Sequence, residues 1–182
     1  TNISGMIGST FVDTIIGLTS SNIFTISGNN TGTVNNTFTF SAVENLTGGT
    51  DVDNFVFSNS GTISGTLDGL SGTDTLTFAG NATGRQVILS GTGSSDGFNG
   101  SAGGGNFANI NILIGGSSTD SLTGMNTASE WQINGNTNNT YSAGVNTLTF
   151  SGIESLIGGN AADLFTLANG LAFTGSLDGQ AG

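Results

Sequence analysis

The sequence of 182 residues contains no cysteine, no proline and no histidine, and only one side chain, Arg85, is basic. Without histidine and cysteine, the commonest general base, the thiolate nucleophile and the usual zinc ligands are excluded, so any metal ion must be bound by oxygen atoms. The net charge of −11 cannot neutralise a row of phosphates. Binding to nucleic acid or to an anionic membrane surface is therefore disfavoured.

Long apolar runs are also missing, and none approaches the roughly 18 residues that a membrane-spanning helix needs. We therefore expect no membrane insertion. A cysteine-free, acidic chain is typical of a bacterial surface protein. Since there is neither an initiator methionine nor a signal-peptide pattern, we expect residues 1–182 to form one continuous segment of a larger repetitive protein.

Glycine, threonine, serine and asparagine take the place of the missing residue types, and glycine alone occurs 32 times. This composition disfavours helices. Short alternating runs such as Asn54-Phe55-Val56-Phe57 are typical of strands with one buried face. The sequence predicts an all-β chain.

A marker of an apolar residue, any residue and then glycine recurs along the whole chain, in steps of roughly 20 to 24 residues. Its nine apolar positions are Met6, Ile26, Leu46, Leu67, Leu89, Leu113, Ile133, Leu156 and Leu177. Five residues after the glycine stands an aspartate in six units and a threonine, Thr33 or Thr140, in two. The two threonine units match each other, which reveals a longer period of about 107 to 110 residues.

A unit of this length holds two or three short strands and cannot bury its apolar side alone, whereas stacked units bury it between them. We therefore predict a β-solenoid, specifically a right-handed parallel β-helix of about nine coils of roughly 20 to 24 residues. Leu46, Leu67, Leu89 and Leu113 are expected to form one inward-facing column. Trp131, which matches Phe24, is expected to lie in the core.

Three glycine-rich stretches, residues 48–55, 115–122 and 158–165, resemble the hemolysin-type (RTX) repeat Gly-Gly-x-Gly-x-Asp-x-apolar-x. In that family the aspartate and loop carbonyls bind calcium between successive turns. The resemblance implies calcium ligands at Asp53, Asp74, Asp96 and Asp120. A second interpretation needs no metal: each aspartate accepts backbone hydrogen bonds in an Asx-type corner before its strand.

The pattern as a whole also resembles the glycine-rich strand repeats of giant secreted bacterial adhesins and surface-fibre proteins. This resemblance implies an extracellular, structural fibre or stalk segment at the bacterial cell surface. We expect its ends to be covered by self-association or by flanking repeats of the same polypeptide. The alternative function is a calcium-binding RTX-like module of a secreted protein.

Catalysis is not expected, and no catalytic residue is assigned. Enzymes built on parallel β-helices typically combine acidic residues with lysine, arginine or histidine, and only Arg85 is present. Glu44 and Glu154 occupy matching positions, but Asn111 takes the same place in a related segment. We assign the two glutamates to solvated faces.

Overall fold

The computed structural model describes residues 3–135, 137–171 and 173–182. Within these ranges the chain is all-β, as the sequence predicts, and contains no helix. Accordingly, no helix in the described part of the chain is long and apolar enough to cross a membrane.

The described residues form twenty strands in two sheets. The eleven-stranded sheet contains β1 (Gly5–Ile7), β3 (Asn22–Gly28), β4 (Thr31–Val34), β5 (Phe38–Ser41), β7 (Asp53–Phe57), β9 (Thr75–Thr77), β13 (Ile112–Ile114), β15 (Ser129–Ile133), β16 (Asn139–Ala143), β17 (Asn146–Ser151) and β19 (Asp163–Leu167). The nine-stranded sheet contains β2 (Thr14–Ile16), β6 (Asn45–Thr47), β8 (Thr66–Asp68), β10 (Gln86–Thr92), β11 (Phe98–Ala102), β12 (Gly105–Ile110), β14 (Ser121–Thr123), β18 (Ser155–Ile157) and β20 (Ser176–Asp178).

The chain passes repeatedly from one sheet to the other, and strands of successive passages pair in parallel, which makes the fold a β-solenoid. In β7, Asp53, Phe55 and Phe57 are buried, whereas the residues between them are partly exposed. This alternation indicates that the buried face of each sheet packs against the buried face of the other sheet. Aligned side chains stack across the pairs, as where Phe55 lies between Phe24 and Leu76.

The predicted count of nine coils is wrong, because the solenoid makes about five turns. Five of the eight intervals between the apolar-x-Gly markers run once around the stack. The other three contain antiparallel meanders, β3–β4–β5, β10–β11–β12 and β15–β16–β17, which add strands within one sheet. Thr33 and Thr140 lie in the central strands of two meanders, so they do not occupy corners.

The predicted leucine column is wrong for the same reason. All four leucines are buried, but only Leu46 and Leu67 are paired neighbours. Leu113 lies in the eleven-stranded sheet, between Leu76 and Phe150. The interval from Leu89 to Leu113 contains a meander and one crossing between sheets, so its ends lie in opposite sheets.

The longer period is a structural repeat. Strands β13 to β20 follow the same order of sheets and meanders as β1 to β8. One repeat, β1 to β12, contributes six strands to each sheet: β1, β5, β4, β3, β7 and β9 to the eleven-stranded sheet, and β2, β6, β8, β12, β11 and β10 to the nine-stranded sheet.

Aromatic side chains fill the core between the sheets. Trp131 is fully buried, which confirms its predicted core position. Its ring stacks on Phe165 with the centroids 5.2 Å apart and meets Tyr141 edge-on at 4.6 Å. Such aromatic pairs stabilise a protein beyond the area that they bury.

Candidate functional site: acidic ladders along the two edges

Acidic and amide side chains line both long edges of the stack, where the chain passes between sheets. We call the edge where the chain enters the eleven-stranded sheet the first edge, and it carries Asn22, Asp53, Asp74, Asn111 and Asp163. The second edge leads into the nine-stranded sheet and carries Asp13, Glu44, Asp120 and Glu154.

The four predicted calcium ligands do not form one column. Asp53 and Asp74 are neighbours on the first edge, because the backbone N–H of Asp53 donates to Asp74 Oδ1 at 2.8 Å. Asp96 lies in the loop between β10 and β11 and joins this edge, where it accepts from the N–H of Gly72 at 3.1 Å. Asp120 lies on the second edge, because its segment leads from β13 to β14.

The corner hypothesis is confirmed at four aspartates. In each, Oδ2 accepts a hydrogen bond from the backbone N–H four residues earlier, at 2.5 to 2.7 Å: Asp13, Asp53, Asp120 and Asp163. At Asp53 the donor is Gly49. The carboxylate can approach because Gly48 lacks a Cβ, which would overlap Asp53 Oδ2. Gly49 is needed for a second reason, because a Cβ there would overlap the carbonyl oxygen of Leu18 in the neighbouring turn.

The other carboxylate oxygen connects successive turns. On the first edge the backbone N–H of Asn22 donates to Asp53 Oδ1 at 2.7 Å, and that of Asp74 donates to Asn111 Oδ1 at 2.9 Å. Together with the bond from Asp53 to Asp74, these contacts form a continuous ladder. The residues joined are 31, 21 and 37 positions apart, so the ladder tolerates turns of different length.

Glu44 and Glu154 belong to an equivalent ladder on the second edge, which corrects their assignment to solvated faces. Both are half-buried. Glu44 Oε2 accepts from the N–H of Asp13 and Glu154 Oε2 from the N–H of Asp120, each at 2.9 Å. Their matching positions in the long repeat were the available signal. Asn111 in the same sequence slot performs the same function on the opposite edge.

These ladders have consequences for metal binding. Backbone N–H groups point at the carboxylate oxygens of the ladders and occupy some of the lone pairs that a cation would need. Within the described residues, no group of three or more Asp and Glu side chains is arranged to hold a metal ion. At Asp53, Oδ1 also accepts from Asn22 Nδ2 at 2.7 Å, so both oxygens of this carboxylate are engaged.

Asp74 differs from the other corner aspartates. The N–H of Leu70, four residues earlier, donates to Asp68 Oδ1 at 3.0 Å instead. Asp74 is fully buried, and its Oδ2 has no hydrogen-bond partner. Burial raises the pKa of the Asp74 carboxyl to about 7 from its usual 3.8, repulsion from nearby aspartates adds to the increase, and the hydrogen bond from Asp53 opposes it.

The raised pKa of Asp74 predicts that the stability of the protein depends on pH. Because the folded carboxyl titrates near 7 and the unfolded one near 3.8, the folded state binds more protons between these values, and stability falls as pH rises through that window. The asparagine of the Asp74→Asn variant stays neutral. We therefore expect the stability of this variant, relative to that of the wild type, to increase as the pH rises from 5 to 8. Urea denaturation of both proteins across this range measures the difference.

The exposed Asp51→Asn variant is the control, because the same removal of charge at the surface should shift stability equally at both pH values. If the difference in stability between the wild type and Asp74→Asn were the same at pH 5 and pH 8, the raised pKa of Asp74 would be contradicted.

Arg85, the single basic side chain, borders an open groove of about 940 Å³ on the nine-stranded sheet. Its guanidinium donates to the carbonyl oxygen of Asn59 at 3.1 Å. It also lies over the ring of Phe78, 5.4 Å from the centroid. These contacts join the corner before β10 to the turn that follows β7, and they give Arg85 a structural role.

Comparison of the chain with protein-family models, with curated proteins and with solved structures found no match.

Proposed function

We propose that this chain is a structural segment of an extracellular fibre or adhesin stalk at the bacterial cell surface. The observation that carries the proposal is the pair of ladders, which engage the acidic side chains in joining one turn to the next. A chain whose polar groups hold its own turns together is suited to a stiff spacer. We propose no catalytic activity.

The geometry of the stack supports this proposal. The core runs between the two sheets without a break, from Met6 and Ile15 at one end to Phe165 at the other. With strands about 4.8 Å apart, the eleven-stranded sheet extends roughly 48 Å along the stack. We take the coil to be right-handed, because right-handed crossovers strongly predominate between parallel strands.

A calcium-binding module is the second candidate, and the unpartnered Oδ2 of buried Asp74 is the observation that favours it. An ion there would neutralise repulsion among Asp53, Asp74 and Asp96. The ladder bonds to Asp53 and to Asp74 Oδ1 favour the structural proposal, because calcium would have to displace N–H donors.

A length measurement tests the spacer function. A copy of residues 5–111 is inserted between Asn111 and Ile112, since residue 112 corresponds to residue 5 in the long repeat. The insertion should add six strands to each sheet, and thus lengthen the particle by about 29 Å in small-angle X-ray scattering. An inserted glycine-serine linker of the same length is the control and should add no rigid extension.

The calcium alternative is tested on the same proteins. A spacer should have the same length and melting temperature in excess EDTA and in excess calcium. Collapse on chelation, restored by calcium and abolished by Asp74→Ala, would support the binding module and reject the spacer. Failure of the inserted repeat to lengthen the particle would also reject the spacer.

A further inference from the structure

Three corners of the stack carry the chain from the eleven-stranded sheet to the nine-stranded sheet through the same kind of turn. They follow β7, β9 and β19, and each turn starts at the residue directly after its strand. In each, a backbone N–H donates to the carbonyl oxygen three residues earlier, at 2.8 to 3.2 Å: Gly61 to Ser58, Asn81 to Phe78 and Leu171 to Ala168. The three corners can therefore be compared position by position.

Two of these corners direct apolar side chains towards the core. In the corner after β7, Ile63 is fully buried. In the corner after β19, Phe173 stands in the position of Ile63, and both Leu171 and Phe173 pack against the core. Hydrocarbon thus fills the space between the sheets at these two corners of the second edge.

The third corner, residues 78–85, is polar instead, and we call it the β9 corner. Thr83 stands in the position of Ile63 but is exposed, whereas Asn81 is fully buried. Among the described residues, neither Oδ1 nor Nδ2 of Asn81 has a hydrogen-bond partner, and Arg85 Nε is also buried without one. Exchanging the two ends of the Asn81 amide would not pair them.

Phe78 connects the two residues that carry these atoms. Its carbonyl oxygen accepts from the N–H of Asn81 at 2.8 Å, and the Arg85 guanidinium lies over its ring, 5.4 Å from the centroid. Native proteins pair nearly all of their buried polar groups, either within the protein or with ordered water, because an unpaired group is costly. Three such atoms in one corner therefore indicate a bound polar molecule.

We propose that the β9 corner is an internal hydration site, where ordered water donates to Asn81 Oδ1 and accepts from Asn81 Nδ2 and Arg85 Nε. Water fits this set of atoms because it pairs with donors and acceptors at the same time. Polar cavities in proteins hold water that makes about three hydrogen bonds, whereas apolar ones stay empty. Water here takes the place that Ile63 and Phe173 fill in the other two corners.

Charged ligands fit the β9 corner less well. A cation would meet the positive charge of the Arg85 guanidinium. An anion would meet Asn81 Oδ1 and also the carboxylate of Asp120, whose Oδ1 accepts from the backbone N–H of Arg85. Neutral water meets neither repulsion.

The exposed residues 82–84, between Asn81 and Arg85, are fastened to both neighbouring corners. The N–H of Ala82 donates to Asn59 Oδ1 at 2.6 Å, and Ser118 Oγ donates to the carbonyl oxygen of Ala82. We therefore expect the water to exchange only when this strip opens, and to stay bound for longer than the protein takes to tumble in solution.

Oxygen-17 magnetic relaxation dispersion counts water molecules with such long residence times. The Asn81→Leu variant, which has the residue type of Leu171 at this position, should hold at least one fewer than the wild type. The matched control is Asn169→Leu, at an exposed position in the corner after β19, and it should keep the wild-type count. Equal counts in all three proteins, or an equal loss in the control, would overturn the proposal.

A crystal structure of the wild-type protein provides a test that does not require any variant to fold. Ordered solvent is expected within about 3.2 Å of the Asn81 amide atoms and of Arg85 Nε. An Asn81 amide bonded directly to other protein groups, with no solvent beside it, would overturn the proposal. Anomalous scattering at this position after chloride is exchanged for bromide would identify an anion and would overturn it as well.

Discussion

The Leu89→Asp variant is expected to lose a large part of the protein's stability. Leu89 is 3% exposed and lies in a core only a few side chains thick, so an aspartate there would be a buried charge without a partner. Such a substitution costs about 3 to 5 kcal/mol, a large part of the roughly 5 to 15 kcal/mol that stabilises a typical domain. Circular dichroism and urea denaturation measure the loss.

Ile88, the preceding residue of the same strand, provides the matched control. It is 48% exposed and faces outward, so Ile88→Asp should leave the protein folded with nearly unchanged stability. If both variants were equally stable, the assignment of inner and outer faces in β10 would be wrong.

Removing the Asp53 carboxylate is expected to have the second largest effect. In Asp53→Ala, the backbone N–H groups of Asn22 and Gly49 lose their acceptor, whereas the side-chain amide of Asn22 still donates to the carbonyl oxygens of Leu18 and Ser20. Each buried donor left without a partner costs about 1 to 3 kcal/mol. Summed over these two donors, we expect a loss of about 2 kcal/mol or more in the free energy of unfolding, measured by urea denaturation.

Asp51→Ala removes an exposed carboxylate two residues away, whose hydrogen bond is to its own neighbour Val52. This variant should lose little stability. Equal free energies of unfolding for Asp53→Ala and Asp51→Ala would refute the contribution of Asp53 to the ladder. A loss of stability in Asp53→Ala that occurs only when calcium is present would refute it as well.

The sequence predicts the solenoid and its corners for a physical reason. Corners need glycine for close backbone approach and an acceptor for the orphan N–H groups, and both requirements recur at fixed spacing. Gly48, Gly49 and Asp53 illustrate this relation. The same requirements explain why the corner interpretation is confirmed at Asp13, Asp53, Asp120 and Asp163.

The number of turns could not be predicted, because spacing alone does not reveal which sheet a strand joins. The interval from Leu46 to Leu67 makes a full turn, whereas the only slightly longer interval from Leu89 to Leu113 contains a meander. Similar spacings thus correspond to different paths. Thr33 and Thr140, which replace aspartate in the repeat, were the sign of the two meanders that contain them. Each lies within a strand, where no corner N–H group needs a side-chain acceptor.

The order of strands within each meander affects how the chain can fold. β1 pairs with β5, although β3 and β4 come earlier in the sequence. A chain emerging from its N-terminus cannot add single coils here, because β1 gains its partner only when the whole meander is complete. We therefore expect the first meander to fold together with β1 as one block of about thirty to forty residues, closed by local contacts.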